Sequence, residues 1–315
     1  MGGASAVDAR QPGQPAVVIG FCAVGALWGL AFLFTALALR GFTPLQVAWG
    51  RAALAAVALA ALAAALERGR LRRALAGLPY RPLIALGLLN AAVPYALIAI
   101  AQRHVPSGVA AVFNATVPIL TALIALGTGA ERRMTPRAAA GTVLGFLGIL
   151  VMTGFAVSGG SWTARIALLA ASASYAVSFV IASRPTVRAA AGVPSAAVQM
   201  AIAAVVLGAA QIADPFDRPG ADPAAWPALV AVALVSTAIP AAVYFWLVRH
   251  AGPARASLTT YLVPVVGLLA GWLALHEVPT PLGMLGAATV LAGVALGHAG
   301  GSRRTSSAPA ERRTS

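Results

Sequence analysis

Residues 94–131, PYALIAIAQRHVPSGVAAVFNATVPILTALIALGTGAE, return as residues 240–277, PAAVYFWLVRHAGPARASLTTYLVPVVGLLAGWLALHE. Without a gap, Pro94 falls on Pro240, Arg103 and His104 on Arg249 and His250, Ala110 on Ala256, Pro118 on Pro264 and Glu131 on Glu277. After one deleted residue the echo goes on, with Thr135 and Pro136 on Thr280 and Pro281, Gly141 on Gly286 and Gly148 on Gly293. The chain is a duplication.

Its composition says what was duplicated. Of 315 residues, 60% are hydrophobic and 10% charged, with a mean hydropathy of +0.85; this is a polytopic membrane protein rather than a water-soluble domain. The net charge of +14 does not point to nucleic acid, because the basic residues sit in short clusters between apolar runs and not on one face. All 22 are arginine, which with the alanine richness hints at a GC-rich bacterial genome. The single cysteine, Cys22, lies in the first apolar run and supports neither a disulfide framework nor a cysteine metal site.

A membrane-crossing helix needs about 20 mainly apolar residues. Ten runs qualify, at about 15–39, 44–66, 82–101, 107–129, 136–156, 163–183, 193–213, 226–248, 253–275 and 281–300. The weakest, 163–183, carries four serines, Tyr175 and Arg165. Prolines inside such runs are tolerated because neighbouring helices satisfy the freed carbonyls. Counting arginines between the runs puts 17 on one side and four on the other, with Arg51 inside a helix; the positive-inside rule then places both termini in the cytoplasm. The first run has no evident cleavage site and is expected to be retained.

Five spans per copy is an odd number, so the second copy enters the membrane upside down. The expected architecture is an all-α membrane protein of ten transmembrane helices in two inverted five-helix repeats, residues 15–158 and 163–300. A cytoplasmic segment 1–14, a linker 159–162 and a disordered basic tail 301–315 complete it. Inverted repeats are the plan of secondary transporters, with the substrate site near the midplane between the halves.

Further residues carry a family resemblance. Trp28, Gly29 and Phe32 in helix one, Pro44 and Arg51 around helix two, and Asn90, Pro94 and Tyr95 in helix three are followed by Ser107 to Pro118, Glu131 and the Gly141 to Gly148 pattern. The second copy answers with Ala256, Tyr261, Pro264, Glu277, Gly286 and Gly293. In this order the chain resembles the drug/metabolite transporter superfamily, of the ten-helix type with two EamA-like domains, over residues 16–300. The resemblance implies a central cavity lined by helices one to four and six to nine, with five and ten outside.

The residues themselves support a cavity. Ala110, Asn114, Pro118 and Thr121 share one face of helix four, and Ala256, Thr260, Pro264 and Gly267 one face of helix nine. The same small residues also suit tight helix packing. Trp28 and Phe32 in helix one, and Tyr175 and Phe179 in helix six, lie toward mid-span, where cavity lining competes with interfacial anchoring. Tyr95 and Tyr244 suit a gate or an aromatic belt. Arg51, about 10 Å along helix two at 1.5 Å per residue, is a functional candidate because a charge there is costly unless paired, hydrated or snorkelled. A substrate carboxylate, packing carbonyls and the outer interface are its three possible destinations. Asn90, echoed by Ser236, precedes the paired prolines and bonds either loosened backbone or ligand. Glu131 and Glu277 end their helices at the wrong end for their own dipoles, which calls for an arginine or backbone partner across an interface. With Pro94, Pro118, Pro240 and Pro264 as flex points, they form the expected hinge and gating set. Gly141 with Gly145, and Gly293 with Gly297, suit close backbone contact within one chain or in a homodimer.

No HExxH, GxSxG, CxxC or phosphate loop occurs, and the four histidines have no metal-ligand spacing. The expected protein is no enzyme and holds no cofactor or metal. It is an inner-membrane permease, in contact with the lipid bilayer, that exports a small metabolite such as an amino acid. The rival readings are a lipid flippase and a membrane-embedded lipid-modifying enzyme.

Overall fold

A computed structural model describes residues 14–129, 161–213, 222–251, 259 and 262–298, with scattered positions between 136 and 151. In chain order the helices are α1 Gln14–Ala38, α2 Pro44–Glu67, α3 Leu71–Ala76, α4 Tyr80–Gly87, α5 Val93–Ala101, α6 Ser107–Asn114, α7 Val117–Gly127, α8 Trp162–Ala182, α9 Pro185–Ala189, α10 Val193–Ala213, α11 Ala225–Ala233, α12 Ile239–Ala251, α13 Leu262–Leu275 and α14 Pro281–His298. A π-turn, Leu88–Ala92, joins α4 to α5, and a second, Leu234–Ala238, joins α11 to α12. No strand occurs among the described residues.

Seven segments among them are long and apolar enough to cross a membrane, and α13 and α14 are shorter apolar helices. Their bounds fall within a few residues of the expected runs. Most of the fifth run and the start of the ninth, with Glu131, Thr260 and Tyr261, lie outside the described residues. The start of α2 shows local sequence at work. Thr43 Oγ1 accepts the Gln46 amide at 3.3 Å, Gln46 Oε1 accepts the Thr43 amide at 3.0 Å, and Pro44 opens the helix.

The two π-turns stand 146 positions apart and each directly precedes a proline pair of the repeat. A proline lacks its amide hydrogen and crowds the carbonyl four residues back. One π-turn relieves that crowding: the Val93 amide bonds the Leu88 carbonyl and the Ile239 amide bonds the Leu234 carbonyl, each five residues back. At Pro118 the chain takes the other solution. The helix stops at Asn114 and restarts at Val117.

The repeats interdigitate rather than lie side by side. Helix α8 packs on α5 and α7, while α1 packs on α11, α12 and α13; α2 lies along α10 and α6 along α13. Glycines make the closest approaches. A Cβ on Gly29 would stand 2.6 Å from Val266 Cβ, and one on Gly293 would stand 2.5 Å from the Gly145 amide nitrogen and 2.6 Å from the Gly141 carbonyl oxygen. Gly293 of run ten therefore meets Gly141 and Gly145 of run five within one chain.

Candidate functional site

The proline breaks leave carbonyls that must find donors in a water-free interior. Helix α8 supplies them. Ser174 Oγ donates to the Leu89 carbonyl at 2.8 Å and Ser172 Oγ to the Phe113 carbonyl at 3.1 Å. These carbonyls stand five residues before Pro94 and Pro118 respectively. Ser178 Oγ, fully buried, reaches Asn90 Oδ1 at 3.2 Å and the Tyr175 carbonyl at 2.7 Å. Three of the four serines that weaken the sixth run as a hydropathy signal are thus the partners of broken helices in the other repeat, while Ser183 bonds the Val180 carbonyl of its own helix.

The second π-turn carries different chemistry. Thr237 Oγ1 donates to the Val232 carbonyl at 2.7 Å and accepts from Arg51 Nε at 2.8 Å. Arg51 Cζ lies 3.8 Å from the centroid of the Tyr95 ring, a cation-on-aromatic stack. The Tyr95 hydroxyl faces Met200 Sδ at 3.8 Å. Arg51, Tyr95 and Thr237 are 9%, 7% and 5% exposed, so the group is enclosed. The Arg51 side chain turns into the protein, toward the turn at mid-helix, where it meets the Thr237 hydroxyl and the Tyr95 ring rather than a carbonyl. Its two terminal nitrogens have no hydrogen-bond partner among the described residues, and no carboxylate pairs with it there.

A second aromatic contact lies farther along α12. Trp28 and Tyr244 stack with centroids 5.3 Å apart at 42°. Phe32 is buried in the cluster that also holds Ile98, Ala111 and Val263, with Trp28 and Tyr175 packed on it. Its carbonyl accepts Gln102 Nε2 at 2.8 Å. Asn90 and Asn114 are half-buried, and Phe179 is exposed. Arg51 and Tyr95 thus come together, as do Trp28 and Tyr244, while Tyr175 packs on the cluster that holds Phe32.

Glu277 meets its expected backbone partner. Its Oε1 accepts the Ser107 amide at 2.8 Å, and its Oε2 accepts the Ser107 hydroxyl at 2.7 Å and the Gly108 amide at 3.1 Å. The carboxylate therefore caps the N-terminus of α6, where the dipole favours an anion. His276, at φ 55°, turns the chain after α13, and the Glu277 amide bonds the Gly271 carbonyl at 3.2 Å. A Cβ on Gly271 would stand 2.7 Å from Ser107 Oγ.

Thr237, Ser172, Gln102 and Met200 carry no sequence signal of their own. The one usable clue is a hydroxyl residue in a run packed against another run's proline. No group of three His, Cys, Asp or Glu able to hold a metal occurs among the described residues. An apolar cavity of about 190 Å³ between α2, α3 and α10 is lined by residues such as Ala56, Leu71 and Pro194, away from Arg51.

The comparisons with known proteins agree with this architecture. The model of the EamA-like transporter family matches residues 15–154 and 162–297. An uncharacterized inner membrane transporter of Escherichia coli K12, YedA, is 32% identical over 256 residues, 78% of each chain. A probable terminal-alkyne amino-acid exporter of Streptantibioticus cattleyicolor is 30% identical over 293 residues, 90% of this chain and 95% of its own. A solved crystal structure aligns over 90% of this chain and 96% of its own with a TM-score of 0.59 at 22% identity, a likeness of fold.

Proposed function

Because the chain belongs to the EamA-like transporter family, we propose that it exports small metabolites, amino acids or related amphipathic compounds, across the bacterial inner membrane. The observation that carries the reading is Arg51, a buried cation held by Thr237 and Tyr95 with terminal nitrogens left over. A buried charge without a counter-ion is costly; a ligand carboxylate would neutralise it and accept its planar fork. The amino-acid class also draws support from the relative named as an amino-acid exporter.

Transport would follow from alternating access between two inverted five-helix repeats with both termini inside. In that orientation Ser107 and Glu277 lie at the outer end, and the Glu277 cap holds α6 to α13 there as a closed outer gate. Glu131 would make the echoing contact at the inner end. Pro94, Pro118, Pro240 and Pro264 are the flex points, and Trp28, Phe32, Asn90, Asn114, Tyr175, Phe179, Tyr244, Thr260 and Tyr261 join Arg51 and Tyr95 around the path.

The test is counterflow of labelled amino acids in liposomes holding the purified chain, with and without a proton gradient. Accumulation of one class that follows its own gradient and is lost in Arg51→Ala supports facilitated export. Failure of every compound to move, with protein shown to be folded, would sink the transport reading.

A further inference from the structure

We infer that the Arg51 site recognises a carboxylate and not an ammonium group, so that its ligands are small organic monoanions with an apolar body, among which an amino acid is one case; this rests on the transport reading above. Three observations carry it.

The first is the state of Arg51. Its Nε is committed to Thr237 and its face to the Tyr95 ring, while its terminal nitrogens are uncommitted among the described residues. That geometry presents the edge of the guanidinium fork, the part that binds a carboxylate bidentately.

The second is that no acidic side chain stands inside an apolar run to meet an amine. The acidic residues Asp8, Asp214, Asp217, Asp222 and Glu311 lie outside the ten apolar runs, and Glu67, Glu131 and Glu277 at or beyond run ends. Glu277 is committed to Ser107 and Gly108. The Tyr95 face, the natural platform for a ligand cation, already carries the guanidinium. An α-ammonium group on a ligand whose carboxylate sits on Arg51 would therefore stand close to a like charge in a medium of low dielectric, where repulsion is strong. Removing the amine removes that repulsion. One resident cation also balances one negative charge, so a dianion would leave an uncompensated charge in the bilayer.

The third is the distance to the aromatic pair. Thr237, in the π-turn, and Tyr244, in α12, are seven residues apart along the chain, about 10 Å at 1.5 Å per residue, and the Tyr244 ring meets that of Trp28. A ligand anchored by its carboxylate at Arg51 and extending an aromatic or branched aliphatic body fits that span.

The experiment measures thermal protection of the purified full-length chain by L-phenylalanine, 3-phenylpropionate, phenylalaninamide and phenylsuccinate, with Arg51→Met as control, beside amino-acid counterflow in liposomes. The expected result is half-maximal protection by 3-phenylpropionate at no higher concentration than by L-phenylalanine. Phenylalaninamide and phenylsuccinate should give none, and Arg51→Met should lose all protection. Protection by L-phenylalanine with none from 3-phenylpropionate overturns the inference and leaves the transport reading standing, as does protection by phenylalaninamide or undiminished protection of Arg51→Met. Absence of protection by any compound while counterflow persists also overturns it. Absence of both sinks the transport reading with it.

Discussion

The two π-turns are one piece of backbone used twice with opposite consequences. Around Leu88–Ala92 the neighbouring repeat supplies Ser174 to the Leu89 carbonyl and Ser178 to Asn90 Oδ1, so both of these acceptors are internally answered. Around Leu234–Ala238 the polar side chains are Ser236 and Thr237; Ser236 Oγ is buried with no partner among the described residues, and Thr237 accepts from Arg51 across the fold. Moving Arg51 and Thr237 by the repeat interval gives Ala197 and Ala91, both in one buried apolar cluster. Duplication kept the bend because the proline imposes it, and divergence placed the charge on one side only. A repeated bend therefore carries a charge in one copy only, the asymmetry that the proposed ligand, charged at one end and apolar at the other, would use.

The strongest way to break this contrast is Arg51→Met. Transport should fall by at least about 30-fold, the equivalent of about 2 kcal/mol for losing a buried charge contact. The melting temperature should hold or rise, because an apolar side chain replaces an unpaired buried cation. A melting temperature that falls together with transport would make Arg51 a structural residue and dissolve the asymmetry. At the helix ends, Glu277→Gln should lower stability by about 1–2 kcal/mol through the weakened cap on α6. Glu131→Gln should cost a similar amount if the ends remain symmetric; a silent Glu131 would extend the asymmetry to the gates. Unfolding in detergent measures both. Smaller again, Ser174→Ala should cost about 0.6 kcal/mol and no more than about 1.7, the range for hydrogen bonds between membrane helices. Ser236→Ala, which removes a hydroxyl with no partner among the described residues, should cost nothing or stabilise slightly. Equal losses at the two serines would show that both turns are answered alike.

Much of the fold is legible in the amino-acid order. The repeat, the apolar runs and the paired prolines are local or periodic signals, and the helices fall close to the expected bounds. Arg51 stands out because charge inside an apolar run is rare. Glu277 is legible as a residue needing a backbone partner, yet not as the cap of α6, since Ser107 is 170 positions away. The serines of α8 are legible as polar residues in a weak apolar run, but not their partners Leu89 and Asn90, and Thr237 not at all.

An apolar chain, its duplication and the places where proline must break a helix all follow from the amino-acid order alone, because each is a property of neighbouring residues and of spacing. Which carbonyl each serine would satisfy, which turn would hold the guanidinium and which helix end would take the Glu277 carboxylate were decided by the interdigitation of the repeats. Hydrogen bonds in a water-free interior are settled by whatever donor stands within about 3 Å, and sequence distance says nothing about that.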